Sequence, residues 1–312
     1  MIKDLQNYEG PIDMDFMVKQ CTRATSNNGT SYLSLLLQDN SGTLDSKMWQ
    51  IGEGDVEIAQ PGNIVRVQGI MGSYKGHPQL KINELYPVHE SDVDMSRFIP
   101  VAPIPIETME KTLEERIESI EDEDLRLLTK TILDKRHEKY VHYPAAVTVH
   151  HAYMGGLLYH SLSVLDLCLK AAENYPILQK DYLLAGALLH DIGKTEELSG
   201  YKASTYTTSG NLIGHIALGA MIVENEAKAL NIPEEKRTYL VHMILAHHGE
   251  LEFGSPKVPA TPEALLLHAM DDIDAKMECL RTYLDQTEEG GFTTKIPWMQ
   301  NALFYKGRKL GR

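Results

Sequence analysis

The stretch "GALLHDIGKTEEL" (186–198) sets an adjacent His190–Asp191 pair at the end of an apolar run. A helix of that composition goes into a protein core, where each unpartnered polar group costs about 1–3 kcal/mol. The pair therefore needs partners, and the surrounding sequence offers them. Of 13 histidines, nine (150, 151, 160, 190, 215, 242, 247, 248 and 268) fall between residues 150 and 268. A lone histidine on an apolar helix is usually a hydrogen-bonded core residue, but a cluster of this density points to a shared ligand. His160 lies on a helix carrying Leu158, Leu162, Leu165 and Leu169, and His247 and His248 end "YLVHMILAHH" in line with Leu240 and Ile244. In "LLLHAMDDIDAKMEC" the carboxylates Asp271, Asp274 and Glu278 recur at i, i+3 and i+7 and so share one helix face. Asp271 is expected as a ligand; a surface salt-bridge ladder is the plainer reading of Asp274 and Glu278. One bound metal ion would satisfy several of these groups at once.

The remainder of the chain bounds what such a centre can serve. Its 312 residues are long enough for two ordinary domains, and 43% apolar with 24% charged residues is the composition of a soluble globular protein. No apolar stretch approaches the roughly 20 residues of a membrane span. The opening "MIKDLQNYEGPID" lacks the blocks of a secretory signal, and Cys21, Cys168 and Cys279 form neither a disulfide framework nor a metal knuckle. A cytoplasmic location, with no membrane partner, is expected. The net charge of −14 counts against bulk attraction to nucleic acid, so such a partner must be held by local contacts, stacking or metal ions.

Two regimes are visible along the chain. Residues 1–88 read as short strands broken by turns: "DFMVKQCTRATS", "SYLSLLLQD", "GTLDSKMWQ", "NIVRVQGIMGSY" and "QLKINELYPV", five in all, suited to a small barrel. Residues 89–106, rich in proline, read as a linker, and residues 107–290 read as helical. The expected helices are 107–121, 124–139, 151–173, 180–191, 214–230, 234–248 and 262–285, with Thr261–Pro262 as a start signal and Gly249 as a stop. The tail 291–312 is mixed in pattern and basic at its end, suited to packing on the helices or touching a ligand. The fold class expected is α+β multidomain, a five-stranded barrel followed by an all-α domain.

The stretches "YLSLLLQDNSGTLDSKMW" (32–49) and "GNIVRVQGIMGSYKGHPQLKI" (62–82) resemble an OB-fold of the nucleic-acid-binding type. Such barrels stack bases on aromatics beside a modestly basic groove. The substrate-binding candidates here are Tyr32, Trp49, Tyr74 and Lys75, with Lys47 and Lys81 nearby; each aromatic could equally belong to the core. "LLYHSLSV", "GALLHDIGK", "GHIALGA", "ILAHHGELEFGSP" and "LLHAMDDIDAKM", in that order, resemble an HD-domain phosphohydrolase. That resemblance implies His160, His190, Asp191 and Asp271 as ligands of one metal. It implies His215, His247 and His248 for a second, with Asp191 bridging. Where some members carry a carboxylate one turn before the first histidine, this chain has Gly156.

Imidazole and carboxylate donors suit Mn(II), Fe, Co, Ni or Zn better than Mg. One or two such ions can activate water and neutralise phosphate oxygens, with Asp191 at the catalytic centre. Lys194 could stabilise charge on the phosphoryl oxygens, or merely cap a helix end. His151, like its neighbour His150, could touch substrate or donate a proton, or simply pack. The whole arrangement resembles the YhaM-type 3′→5′ exoribonucleases. It implies a manganese-dependent enzyme that trims single-stranded RNA, with single-stranded DNA as a second candidate, to nucleoside monophosphates. A homo-oligomer is compatible with this. Two other readings stay open: a hydrolase of small or cyclic nucleotides, and a nucleic-acid-binding factor with a structural metal site.

Overall fold

Strand β2 (Ser31–Asp39) shows how the N-terminal region folds: Leu33, Leu35 and Leu37 are buried while the residues between them are not. That period of two is what a sheet closed around one core demands. The structure is a computed structural model that describes residues 1–26, 28–147, 151–202 and 204–308. It divides into two compact units, Met1–Val101 with Tyr201–Ala203, and Ala102–Gly200 with Ser204–Arg312.

In the first unit β1 (Gly10–Thr25), β2, β3 (Gly42–Met48), β4 (Ile64–Tyr74) and β5 (His77–Val88) close into a barrel of order β1-β2-β3-β5-β4. The long β1 pairs with both β2 and β4, and a register shift between Val18 and Gln20 lets one strand serve both. Strands β3 and β5 run parallel, with helix α1 (Asp55–Ile58) in the crossover from β3 to β4. This is an OB-fold. Phe16, Val18, Leu80 and Ile82 join the β2 leucines in its core. The first strand begins five residues before the expected start, because Gly10–Met14 pair with β4.

Much of the expected linker is built into this unit. Phe98 and Ile99 are buried, and the Phe98 and Arg97 carbonyls accept from Gln38 Nε2 and the Asn40 amide. The prolines read as a linker; Phe98 and Ile99 anchor its first part to this unit.

The second unit is helical: α2 (Ile106–Glu118), α3 (Glu123–Lys135), α4 (His137–His142), α5 (Gly156–Ala172), α6 (Lys180–Leu189), α7 (Lys194–Glu197), α8 (Thr208–Ile213), α9 (His215–Ala229), α10 (Glu234–Ala246) and α11 (Pro262–Asp285). The expected helix 124–139 is split at Arg136, and the expected 151–173 starts only at Gly156. Side-chain caps mark several starts: Asp122 accepts from the Leu125 amide, Thr207 from Gly210 and Thr261 from Ala264. Helices α5 and α6 lie at the centre, with Leu158, Val164, Leu165, Leu184 and Leu188 fully buried. Residues 291–308 form a small ribbon with bridges Phe292–Tyr305 and Ile296–Ala302. No helix among the described residues is long and apolar enough to cross a membrane, and Cys21, Cys168 and Cys279 are free thiols.

Candidate metal centre and barrel face

The buried histidines and acids of the second unit sit at helix ends or on the inner faces of central helices. His190 and Asp191 directly follow α6, His247 and His248 follow α10, and His215 opens α9. His160 projects from α5 and Asp271 from α11. Two glycines permit the convergence. A Cβ on Gly193 would lie 2.0 Å from the His215 carbonyl oxygen, so the turn after Asp191 can touch the start of α9 only as glycine. A Cβ on Gly156 would lie 2.1 Å from the His151 carbonyl oxygen. The position where a further carboxylate was conceivable is therefore closed to any side chain.

His160, His190 and Asp191 bring ligand atoms within 4.8 Å of one another, as do His215, His247 and His248. The Nε2 atoms of His160 and His190 face each other at 3.2 Å. Asp271 Oδ1 lies 3.0 Å from His160 Nε2 and 3.8 Å from His190 Nε2. Asp191 turns Oδ2 to this group, 3.4 Å from His190 Nε2, and Oδ1 to the other, 3.6 Å from both His215 Nε2 and His247 Nε2. All seven residues named from the motifs thus meet in one place.

The other ring nitrogens fix what these atoms are. His190 Nδ1 donates to the Ala187 carbonyl (2.8 Å) and His247 Nδ1 to the Ile244 carbonyl (2.7 Å). His160 Nδ1 meets Asp274 Oδ2 at 2.7 Å and His215 Nδ1 meets Glu197 Oε1 at 3.1 Å. Each acceptor requires the proton on Nδ1, which leaves the Nε2 lone pair aimed inward. Asp191 Oδ1, His215 Nε2 and His247 Nε2 are buried without a hydrogen-bond partner. Three electron-rich atoms would not be gathered in a protein interior without a cation to share. The donor set fits a divalent metal ion, and the chain carries the elements of a divalent-metal site.

Electrostatics agree. Burial opposes charge on Asp191, yet Lys194, His190 and His247 hold its carboxyl well below the usual range. Burial likewise opposes, and His160 and His190 overcome, the same effect at Asp271. Burial keeps His247 below the ordinary imidazole value. His160 behaves otherwise: burial disfavours its charge, but Asp271 and Asp274 push it up to about 9, so its Nε2 faces Asp271 with a proton that a bound cation must displace to use the lone pair. Lys194 is buried with its Nζ 2.5 Å from Asp191 Oδ2, so it belongs to the centre rather than capping a helix in solvent.

His151 is not where a substrate-contacting residue would be. It is buried, its Nε2 donates to Asp274 Oδ2 at 2.8 Å, and its Nδ1 accepts from the Tyr153 hydroxyl at 2.7 Å. Both polar atoms of the ring are spent inside the protein, which corrects the expectation of substrate contact. His150 lies outside the described residues. Motif reading missed the supports: Asp274, which receives His151, His160 and the Ser163 hydroxyl, and Glu197, which receives His215. The i+3 spacing from Asp271 was the available signal for Asp274. It is buried, not part of a surface ladder, whereas Glu278 does pair with Arg281 at 2.6 Å.

On the barrel, Tyr32 and Trp49 stack at 4.6 Å with Trp49 41% exposed, and Lys47 Nζ lies 5.4 Å over the Tyr32 ring. Lys47 also donates to Ser34 Oγ, and stands opposite Lys81 in the β3–β5 register. Tyr74 and Lys75 lie together at the β4–β5 turn, where Tyr74 is exposed and Lys75 takes a left-handed φ of 52°. Accessible aromatics paired with lysines can stack bases and meet phosphates.

Comparison with known proteins adds an independent finding. A family model described as HD domain matches residues 157–276, and one described as putative helicase matches 108–182. A Bacillus subtilis protein named 3′-5′ exoribonuclease YhaM is 37% identical over 95% of this chain and 94% of its own length. A Geobacillus protein of the same name is 38% identical over 98% of this chain and 95% of its own. Among solved structures, the Saccharomyces cerevisiae mitochondrial single-stranded DNA binding protein Rim1 is 14% identical. It covers 26% of this chain and 95% of its own, with a TM-score of 0.23, too slight a likeness to carry an argument.

Proposed function

Because the chain belongs to the 3′-5′ exoribonuclease YhaM family, we propose that it is a metal-dependent 3′→5′ exoribonuclease acting on single-stranded RNA, with single-stranded DNA as a second substrate. It hydrolyses phosphodiester bonds and releases nucleoside monophosphates. The observation that carries this reading is the convergence of His160, His190, Asp191 and Asp271 on one buried point, with His215 and His247 facing the other oxygen of Asp191. Exposed aromatics and lysines on the barrel supply the strand-holding half of the same activity.

His160, His190, Asp191 and Asp271 would hold one ion, and His215, His247 and His248 a second that shares Asp191. Bound there, divalent cations supply an activated water and neutralise phosphate charge. The protein's own groups do the rest. Asp274 and Glu197 keep the imidazoles in the tautomer that presents a lone pair. Lys194, beside Asp191, offsets negative charge on the phosphoryl oxygens. Tyr32, Trp49, Tyr74 and Lys75 hold the strand by stacking and charge. Manganese is the metal proposed. The nitrogen and oxygen donors also suit Fe, Co, Ni or Zn, while the absence of thiolate among them disfavours a structural zinc. A cytoplasmic location, consistent with three free thiols, and a homo-oligomeric state complete the proposal.

The test is direct. Protein with Mn²⁺ should shorten 5′-labelled single-stranded RNA from its 3′ end, and chelator, His190→Ala or Asp191→Ala should abolish the ladder. Turnover of small nucleotides with RNA left whole would assign a small-nucleotide hydrolase instead. Binding without cleavage would leave only a binding factor.

A further inference from the structure

Residues 291–312 carry five cations (Lys295, Lys306, Arg308, Lys309 and Arg312) and no Asp or Glu, in a chain whose net charge is −14. The described part is a ribbon. The Thr293 amide donates to the Phe304 carbonyl and the Lys306 amide to that of Gly291, at 2.9 and 2.8 Å. Thr293 and Ile296 point inward and are buried. Lys306 pins the ribbon to the end of α11, its Nζ donating to the Leu284 and Thr287 carbonyls at 2.7 Å each. That lysine is spent on anchoring, at the helix end whose free carbonyls favour a cation.

The outer side has the opposite character. Phe292, Trp298, Leu303 and Tyr305 are exposed, Trp298 at 68%, and the Phe292 and Tyr305 rings pair across the ribbon at 5.2 Å. Lys295, three residues from both Phe292 and Trp298 in the chain, and Arg308, three from Tyr305, are exposed, and neither has an ion pair among the described residues. Five cations with no carboxylate side chain among them favour a polyanionic occupant. Aromatic faces interleaved with unneutralised cations match a single-stranded polynucleotide, whose bases stack and whose phosphates attract. None of these residues belongs to the metal centre or the barrel.

We propose that the ribbon 291–308 is a second binding site for single-stranded nucleic acid, with Phe292, Trp298 and Tyr305 as the stacking platform and Lys295 and Arg308 as the phosphate contacts. This rests on the exoribonuclease reading for the identity of the strand as substrate, although the binding itself needs neither metal nor cleavage. The chain has two tryptophans, Trp49 and Trp298. In full-length Trp49→Phe protein, emission therefore reports on Trp298 alone.

The experiment titrates that protein with a 20-nucleotide oligoribonucleotide in chelator, so that the strand stays intact. Quenching of Trp298 that saturates supports the proposal. Flat emission, while the oligonucleotide is retained by the protein in a mobility assay, overturns it. With the native tryptophans, Trp298→Ala should weaken binding about tenfold. Lys295→Ala with Arg308→Ala should lower the slope of log affinity against log salt by about 1.4. Turnover of a dinucleotide in Mn²⁺ should be unchanged in both variants. A shift in oligomeric state with RNA affinity untouched would make the ribbon a self-association surface and end the proposal. If the wild-type protein cuts no RNA at all yet Trp298 quenches, the exoribonuclease reading fails while the binding site stands.

Discussion

The barrel keeps its polar and aromatic candidates outside and fills its interior almost wholly with aliphatic side chains; the helical unit has an aliphatic interior too, but buries its polar candidates within it. Leu33, Leu35, Leu37, Val65, Val67 and Leu80 are the barrel's interior, while Trp49 and Tyr74 face solvent. In the helical unit His160, His190, Asp191 and His247 are buried as deeply as the leucines around them. The contrast follows from what each unit must hold. Stacking a base needs an accessible ring and tolerates motion. Gripping cations needs lone pairs fixed in advance, which only a packed interior with its own hydrogen-bonded supports can do.

The comparison breaks most decisively at Asp191, the carboxylate turned to both ligand groups. Asp191→Ala should lower RNA hydrolysis on the order of 10³-fold or more, with bound metal lost by elemental analysis. Doubly substituted Tyr32→Ala/Trp49→Ala protein should retain its metal. If both proteins lose metal alike, the division of labour between the units is wrong. Metal should also stabilise only the unit that holds it. At a hundredfold excess over its dissociation constant an ion adds about 2.7 kcal/mol, or roughly 5–10 °C of melting temperature for a unit of this size. Calorimetry with Mn²⁺ and with chelator should show that rise in the helical transition and none in the barrel's.

Support residues sharpen the contrast. Asp274→Asn leaves every motif ligand in place but puts an N–H where His160 and His151 must donate. Metal affinity or activity should fall about 10- to 100-fold, with RNA binding by the barrel unchanged in a mobility assay. On the other side, Trp49→Ala should weaken RNA binding by about 1–3 kcal/mol while leaving turnover of a dinucleotide alone.

The smallest effect lies at the surface. Lys236 Nζ bridges Asp122 and Asp124 at 2.6 and 2.7 Å. Burial opposes charge on Asp122, but Lys236 and the Leu125 amide hold its carboxyl below the usual range. A carboxyl depressed by folding contributes stability above its unfolded value, near pH 4, and loses it as pH falls through the lower folded value. Lys236→Ala should cost under about 1 kcal/mol in urea denaturation at pH 6, and the difference should shrink at pH 3.

How legible this was from the residues differs by element. The strands announced themselves through alternation, and the helical blocks through apolar stripes interrupted by histidine and aspartate; both are local signals. The start of β1 was not legible, because Gly10–Met14 are strand only by pairing with β4. Phe98 and Ile99 looked like linker because burial by a distant barrel leaves no periodic trace. His151 could have touched substrate or simply packed; it stands outside any helix at φ 50°, and only the fold turns it onto Asp274.

By itself the sequence determined the element types, the two regimes and a cluster of histidines and acids that needed partners, since periodicity and the cost of burying histidine are properties of short segments; which of them ligate came from the resemblance to HD-domain phosphohydrolases. Which oxygen of Asp191 faces which imidazoles, that Asp274 and not solvent receives His160, and that Gly193 lets α9 close on the His190–Asp191 turn were decided by tertiary packing. The physical reason is that a hydrogen bond or a shared cation depends on distances of a few tenths of an ångström between segments far apart in the chain, and no local pattern encodes such distances.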